Sequence, residues 1–259
     1  MIKKFLSGRK INILCGFASV VLMWVAWIIA YYSVKNDYLI PSFQSTFAEF
    51  WKLLGSAEFW SSFGMTFLRT LEAFAISLIL AAACAALSAV SKIFSAFLKP
   101  VTIILRTLPT LAVMLLILVW SSAVTAPVIV TCLVLFPMML AQFNAAICGV
   151  DGGLIQMAKV YGVSKKDILF KIYLPQISPN ILSQTGANVS LGLKLTISAE
   201  VLAATYNSLG GLMQTSSAFV EIPRLAALTI AAVVLGLILD VAFSQLKRVN
   251  SKWQGSVEF

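Results

Sequence analysis

Residues 151–179 read DGGLIQMAKVYGVSKKDILFKIYLPQISP, a charged segment between two long uncharged ones. Residues 107–150 contain no charged side chain, and residues 172–193, which overlap the end of the segment, contain none either. A connection of this length between two membrane-length apolar runs is usually functional or disordered. The pattern of residues inside it indicates an ordered structure.

The first half of this segment predicts a short helix. Leu154, Met157, Ala158 and Tyr161 recur at the spacing of one helix face. Gly162 follows the last of them, at the position where a helix ends most easily with a positive φ. The sequence therefore predicts a helix that stops at a glycine turn.

The second half predicts another helix with a defined start. Ser164 and Asp167 have the spacing of a capping box in its Ser-x-x-Asp form. Pro175 is predicted to end this helix, and Pro179 to precede the next membrane span. We expect a helical hairpin on one side of a bilayer, with an apolar face that needs a protein surface to dock on.

The hairpin resembles the cytoplasmic loop of the permease subunits of ATP-binding-cassette (ABC) importers, whose pattern is E-A-A-x3-G-x9-I-x-L-P. Five residues match this pattern at the family's spacing, namely Ala158, Gly162, Ile172, Leu174 and Pro175. Gln156 and Met157 stand where the pattern has Glu and its first Ala. The alternative is an ordinary loop between two helices.

In that family the loop forms the coupling helix, which inserts into a groove on the ATPase subunit. The resemblance therefore implies an ATPase-coupling surface in this chain. Its residues are Gln156, Met157, Ala158, Tyr161, Gly162, Val163, Ser164, Ile172, Leu174 and Pro175.

The composition is that of a membrane protein. The chain has 259 residues, of which 60% are hydrophobic and 11% charged, and its mean hydropathy is +0.94. Because a soluble domain carries about 25% charged residues, lipid must be the solvent here. The length allows about six spans of ~20 residues. We expect one all-α transmembrane domain over residues 1–259, with the type I importer permease fold that the resemblance implies.

The positive charge is distributed in the way that sets membrane topology. The net charge is +9, and 13 of the 19 Lys and Arg residues lie in four segments. These segments are the N-terminus and residues 92–99, 159–171 and 247–252. They alternate with segments poor in Lys and Arg, which predicts that all four, and both termini, face the cytoplasm. Topology thus accounts for the charge better than nucleic-acid binding does.

Several kinds of chemistry are excluded by what the chain lacks. It has no histidine, which removes Ser-His-Asp catalysis and HExxH metal sites. Its four cysteines are widely spaced within predicted spans and have no metal-site spacing. No P-loop motif occurs, so ATP and Mg must be bound by a partner ATPase and no cofactor is expected on this chain.

The hydropathy pattern predicts six membrane helices, the first of them an uncleaved span with its N-terminus inside. We expect them at about residues 11–34, 63–90, 100–120, 128–147, 180–204 and 224–246. Residues 92–99 are expected to be a cytoplasmic turn, with Pro100 opening the third helix. An amphipathic helix over about 42–54 is expected at the outer interface, capped by Ser42 and stopped by Gly55.

Weaker matches resemble the sulfonate, taurine and nitrate branch of the ABC permeases. They are Ile40-Pro41-Ser42, Arg106-Thr107-Leu108-Pro109, Ala199-Glu200-Val201 and Leu209-Gly210-Gly211. The resemblance spans residues 40–240. It implies an importer in the bacterial plasma membrane, built from two permease copies, two ABC ATPases and an external binding protein. With one permease sequence in hand, a homodimer is expected.

A polar stripe is predicted along the fifth membrane helix. At 100° per residue, its members fall within an arc of about 80°; they are Ser183, Ser190, Lys194, Ser198 and Thr205. In the resembled family this helix borders the translocation path, so Lys194 could present a positive charge to an anionic solute. The alternative is that Lys194 pairs with a carboxylate such as Glu72 or Glu200.

Other charges within predicted spans need a partner or a water-filled path. Arg69 could pair with Glu72, three residues later, or contact Glu200. Arg106 could snorkel to the cytoplasmic surface, and Asp240 could reach the basic tail. The residues assigned to the translocation path are Ser190, Lys194, Ser198, Glu200 and Arg69.

The function implied is passage of a small, anionic solute, with energy supplied by the partner ATPase. A permease for a vitamin or pyrimidine precursor is the alternative within the family. From other classes, a stand-alone ion-driven carrier or an intramembrane enzyme would need more paired carboxylates in the spans than this sequence offers.

Overall fold

The computed structural model describes residues 8–34 and 39–251. All regular structure in these two ranges is helical. Residues 1–7, Asp37 and the tail beyond Ser251, for which cytoplasmic or outer positions were predicted, lie outside the described residues. The elements in chain order are α1 (Gly8–Val34), α2 (Phe43–Leu54), α3 (Ala57–Val90), α4 (Lys92–Thr107), α5 (Thr110–Trp120), α6 (Ala126–Cys148), α7 (Gly152–Val160), the short α8 (Lys165–Asp167), a π-helical segment (Ile168–Tyr173), α9 (Leu174–Ala203), α10 (Leu209–Ala218) and α11 (Ile222–Ser251).

Two compact units can be distinguished, and the first contains α1, α2 and residues 215–231. The indole of Trp27 donates to the Pro41 carbonyl at 3.2 Å, and the Phe43 ring meets Trp27 edge to face. Ser42 accepts the Ser45 N–H and caps α2, and Gly55 ends the helix. The predicted helix at 42–54 is confirmed with both of its end signals. Its location at the outer interface stays a prediction.

The second unit contains α3 to α9 and holds the core of the protein. The long helices α3, α6 and α9 pack on one another. Alanines of α3 meet larger residues of α6 in a buried cluster, with Ala81 and Ala85 against Met139 and Leu140. Small side chains on one helix let the backbones approach closely, which is the usual basis of helix packing in lipid.

The turn expected at residues 92–99 is wrong, because this stretch is the first half of α4. Its cytoplasmic location stays a prediction. Ser91 accepts the Phe94 N–H and starts the helix well before Pro100, which lies inside it. An interior proline removes one backbone donor and crowds the carbonyl four residues earlier, yet α4 continues through Pro100 to Thr107.

The third membrane helix is not continuous. The axes of α4 and α5 differ by 97° at a break around Leu108 and Pro109. Leu108 is extended, with ψ of 129°, the conformation that a residue before proline prefers. Among the described residues, three helices are long and apolar enough to cross a membrane, namely Ala57–Val90, Ala126–Cys148 and Ile222–Phe243. The bent pair makes a fourth if it forms one broken span.

Candidate functional site

The first helix of the hairpin is set by local signals. The Asp151 side chain caps α7 by accepting the Gly153 N–H at 2.8 Å. The helix ends at Val160, and Gly162 follows with φ of +69°. Few residues other than glycine adopt this left-handed conformation without strain. The predicted helix and its glycine stop are confirmed.

The second turn of the hairpin is also set locally. Ser164 accepts the Asp167 N–H at 3.1 Å, and its hydroxyl donates to the Asp167 carboxylate at 2.6 Å. Lys171 forms an ion pair with the same carboxylate at 2.7 Å. Hydrogen bonds from Lys171 and Ser164 hold the pKa of Asp167 below its usual value. The predicted capping box is confirmed.

The prediction that Pro175 ends the second helix is wrong. The π-helical segment Ile168–Tyr173 runs directly into α9, which continues through both Pro175 and Pro179 to Ala203. Pro175 lies at the junction of the two, where it fixes a helical φ and removes one backbone donor without ending the helical run. The hairpin therefore leads directly into a 30-residue helix and is not a separate loop.

The predicted coupling residues are ordered and mostly face outward. Ala158 is buried, whereas Met157 and Tyr161 are 53% and 80% exposed. Leu174 is 53% exposed and Ile172 is half-buried. The remaining predicted coupling residues are all exposed, namely Gln156, Gly162, Val163, Ser164 and Pro175. The apolar side chains of the hairpin thus form an outward surface on a fixed backbone.

The base of the hairpin is tied to α9. The Asp151 N–H donates to the Gln176 side-chain oxygen at 3.1 Å, across 25 residues of sequence. The π-helical segment also packs against α7 and α9. A displacement of the hairpin would therefore be passed to α9 rather than absorbed in a flexible connection.

A buried polar cluster lies near the other end of α9. Glu200 is completely buried, and its carboxylate accepts from the Arg69 guanidinium at 2.8 Å and from the Thr66 hydroxyl at 2.8 Å. Arg69 is itself 6% exposed, and its Nε has no hydrogen-bond partner. The predicted contact between Arg69 and Glu200 is confirmed, and Arg69 pairs with this residue rather than with the exposed Glu72.

The same cluster holds the turn between α9 and α10. The Gly210 N–H donates to Glu200 at 3.3 Å, and the Leu209 N–H donates to the Thr66 hydroxyl at 2.9 Å. Ala204 and Asn207 in this turn have left-handed backbones, with φ of 48° and 47°. Thr66 was not predicted, since a single threonine on an apolar helix has no diagnostic spacing.

Close packing accompanies these hydrogen bonds. A Cβ added at Gly210 would lie 2.4 Å from the Glu200 Cβ, and one at Gly211 would lie 2.1 Å from the Thr205 carbonyl oxygen. The two glycines of Leu209-Gly210-Gly211 are therefore required sterically. They let the start of α10 approach the end of α9.

The predicted polar stripe is divided by the structure. Lys194 and Ser198 are exposed, and within the described residues Lys194 forms no ion pair, with Glu72 or Glu200 or any other carboxylate. The half-buried Ser190 donates to the Gly236 carbonyl at 3.5 Å. Thr205 lies beyond the end of α9 and donates to the Ala123 carbonyl. Lys194 and Ser198 thus remain the accessible part of the stripe.

Two further polar pairs join α6 to α9 and were not predicted. Gln142 and Asn188 exchange side-chain hydrogen bonds at 3.0 and 2.7 Å, and the hydroxyls of Thr131 and Thr196 are 3.1 Å apart. None of these residues belongs to a motif with a diagnostic spacing. Their only sequence signal is that a polar side chain within a span needs a partner.

The comparison with protein families decides the identity of the fold. Residues 73–251 match the model of the binding-protein-dependent transport system inner membrane component. The chain belongs to this family. The resemblance to ABC importer permeases is thereby confirmed, and the matched range includes the hairpin, the Arg106 segment and most of α3 to α11.

Curated relatives agree with this assignment. The chain is 28% identical over 219 residues to "Putative aliphatic sulfonates transport permease protein SsuC" of Escherichia coli (strain K12), covering 83% of this chain and 82% of the relative. It is 22% identical over 257 residues to the taurine transport system permease protein TauC of the same organism, covering 97% and 93%. These relatives are permeases by name, not enzymes, as the sequence indicated.

A solved structure shares the fold. A chain from the crystal structure of an amino acid ABC transporter with histidines superposes with a TM-score of 0.63 at 20% identity. The match covers 75% of this chain and 93% of that one. At this identity the likeness concerns the arrangement of helices alone.

Proposed function

We propose that this chain is the transmembrane subunit of an ATP-driven importer for a small anionic solute of the sulfonate or taurine kind. The observation that carries the proposal is the hairpin of α7, α8 and the π-helical segment. Its backbone is fixed by caps at both of its helix starts, and its apolar side chains face outward. A fixed apolar surface on a short hairpin is suited to dock into a groove of a partner protein.

The partner is an ABC ATPase, one on each of two permease copies, and it holds the ATP and Mg while this chain binds no cofactor. The whole chain acts as one transmembrane domain of six spans in the bacterial inner membrane, with the hairpin and both termini in the cytoplasm. An external binding protein delivers the solute. The family description, which specifies binding-protein-dependent transport, supports this division of work.

The geometry suggests how nucleotide binding to the ATPase changes access to the translocation path. The hairpin is continuous with α9, a helix of 30 residues and therefore about 45 Å in length. Its base is fixed to α9 by Asp151 and Gln176. When the ATPase dimer closes and brings the two hairpins together, each α9 tilts as a rigid rod, and access to the path alternates between the two sides.

The path runs along the exposed part of the polar stripe on α9. Lys194 supplies a positive charge that no carboxylate of the described residues neutralises. The hydroxyls of Ser198 and Ser190 lie on the same stripe and donate to the backbone carbonyls of Lys194 and Gly236. Such a lining favours an anion over a neutral vitamin or pyrimidine. Arg69 and Glu200 were also assigned to the path; they contribute to it when the cluster opens.

Reconstitution tests the proposal. The permease, its ATPase and its binding protein are placed in liposomes, and uptake of labelled taurine, an alkanesulfonate, nitrate and riboflavin is measured with and without ATP. We expect ATP-dependent uptake of a sulfonate-type anion and none without the ATPase. Uptake in the absence of any ATPase would instead identify a lone carrier, and uptake of riboflavin alone would identify a vitamin permease.

A matched pair of tyrosines tests the docking surface in the same system. Tyr161→Ala removes an 80% exposed ring from the hairpin, and Tyr206→Ala removes a 90% exposed ring from the turn after α9. We expect the first change to lower the affinity for the ATPase by about tenfold or more, since a central aromatic is often worth over 1.4 kcal/mol. The second should leave that affinity unchanged. Equal effects would show that the ATPase docks elsewhere.

A further inference from the structure

One face of α4 carries a row of polar and cationic side chains that the proposed function does not use. Ser95, Lys99, Thr102 and Arg106 follow one another at spacings of four, three and four residues, which places them on the same side of the helix. They face α6, and together with Ser88 at the end of α3 they border a cavity of about 270 Å³. Its polar lining consists of Ser88, Ser95, Lys99, Thr102, Arg106 and Asn144.

The charge in this cavity is uncompensated. No Asp or Glu lines it, and within the described residues neither Lys99 nor Arg106 forms an ion pair. Arg106 does not simply extend toward water, as the snorkelling prediction had it, because its guanidinium donates to the Pro137 carbonyl of α6 at 2.8 Å. Lys99 and Arg106 are both exposed, so an anion can reach them.

The hydrogen-bonding groups around the two cations are also available. The Ser88 hydroxyl is buried and has no hydrogen-bond partner in the part of the chain that the structure describes. Ser95 and Asn144 make no side-chain hydrogen bond to any described residue, so their donors are available, whereas the Thr102 hydroxyl already donates to the Lys99 carbonyl. Two cations with neighbouring hydroxyl and amide donors are the groups that bind an oxyanion.

A second cavity adjoins the first at Arg106. It has a volume of about 530 Å³, and Arg106 and Pro137 line both. Its lining is otherwise largely apolar, with Leu105, Leu108, Val134 and Met138. It exists because the chain bends by 97° after α4 and so leaves space beside α6. A cationic pocket that opens into an apolar one is complementary to a molecule with an anionic head and an apolar tail.

We propose that the cleft between α4 and α6 binds an anionic amphiphile, with its oxyanion held by Lys99 and Arg106 and its apolar chain beside Leu108 and Met138. The head is a phosphate-type group, which either a membrane lipid or a smaller amphiphilic anion could supply. Binding joins α4 to α6 and so stabilises the bend between α4 and α5. The inference does not depend on which solute the importer carries.

The test uses the full chain in a neutral detergent and follows its thermal unfolding. Three probes are titrated at constant ionic strength: dihexanoyl phosphatidylglycerol, dihexanoyl phosphatidylcholine and hexyl phosphate. We expect saturable stabilisation by the anionic probes and none by phosphatidylcholine. Stabilisation by phosphatidylglycerol alone assigns the site to a lipid headgroup, and stabilisation by hexyl phosphate as well assigns it to any amphiphilic phosphate.

Matched variants separate the site from general charge effects. Lys99→Gln and Arg106→Gln should each raise the half-saturating probe concentration by about tenfold, the loss of one charge-assisted hydrogen bond. Lys99→Arg should retain binding. Lys92→Gln makes the same charge change on the same helix outside the cavity, and should have no effect. The proposal is overturned if phosphatidylcholine stabilises as well as phosphatidylglycerol, or if Lys99→Gln and Lys92→Gln behave alike.

Discussion

Two ion pairs with nearly the same N–O distance lie near the two ends of α9. One pair is exposed and the other is buried. In the hairpin, Lys171 and Asp167 are 2.7 Å apart with side chains 76% and 42% exposed. At the other end, Arg69 and Glu200 are 2.8 Å apart with side chains 7% and 0% exposed. An exposed pair contributes about 0–1 kcal/mol, whereas breaking a buried one costs about 3–5 kcal/mol.

This difference shows what each end is built for. The hairpin is shaped by caps and a glycine turn, so its large apolar side chains are free for a partner. In the cluster around Glu200, by contrast, the polar groups hydrogen-bond to one another and hold α3, α9 and the start of α10 together. One end is a surface for binding, and the other fixes the helix that transmits the motion.

The largest expected effect comes from Glu200→Ala. It leaves Arg69 buried without a counter-charge, and the free energy of unfolding should fall by about 3–5 kcal/mol. Lys171→Ala, which breaks the exposed pair, should lower it by less than about 1 kcal/mol. The double change Arg69→Met with Glu200→Leu should recover most of the loss. Thermal and denaturant unfolding in detergent measure the stability of all three variants. Equal losses for the two alanine variants would show that the buried and the exposed ion pair contribute alike.

Gly210→Ala tests the packing of the buried end. Its new methyl group would overlap the Glu200 Cβ and the Ile197 carbonyl oxygen, so we expect a loss of about 1–3 kcal/mol. Gly64→Ala in α3 has no atom within 4 Å of the added Cβ and should be neutral or slightly stabilising, because alanine is the better helix former. Unfolding of both variants in the same detergent is the measurement, and a neutral Gly210→Ala would mean that α10 can move away from α9.

Gly162→Ala tests the hairpin in the same way. With φ of +69°, an alanine there should cost about 1–2 kcal/mol although no atom obstructs its Cβ. The loss should be local, as faster hydrogen exchange over residues 152–173, with the remaining helices unaffected. Gly152→Ala in the first turn of α7 is the control and should not increase exchange. Exchange that rises equally in both variants would show that the turn is not held by Gly162.

The smallest expected effect is a pH dependence of the hairpin. Because hydrogen bonds from Lys171 and Ser164 lower the pKa of Asp167 in the folded state, this carboxylate stabilises the hairpin above its unfolded pKa. That contribution is lost as the pH falls through the lower, folded pKa. Unfolding temperatures measured from pH 5 to pH 3 should therefore decrease slightly more for the native chain than for Asp167→Asn. Identical pH profiles would show that the carboxylate contributes nothing.

The features that were predicted correctly are those written in a few consecutive residues. The cap at Ser42, the stop at Gly162 and the capping box at Ser164 each depend on neighbours within three positions.

The predictions that were wrong concern prolines. Pro100 and Pro175 were predicted to bound helices and lie within or at the start of them, whereas Pro109 marks the break in the chain. A proline fixes its own φ, but whether the helix continues depends on the helices packed around it.

The sequence by itself determined that lipid surrounds most of the chain, which family the chain belongs to, and how the hairpin folds. Hydropathy, a motif of fixed spacing and local hydrogen bonds decide these three features, and none of them depends on distant contacts. Only the tertiary structure decided that Arg69 joins Glu200 rather than Glu72, that Lys194 stays accessible, and that α4 turns its cations toward a cleft beside α6. Arg69 and Glu200 lie 131 residues apart in sequence. The packing of α3 against α9 brings them together, and such pairing is set by the shapes of whole helices rather than by any local pattern.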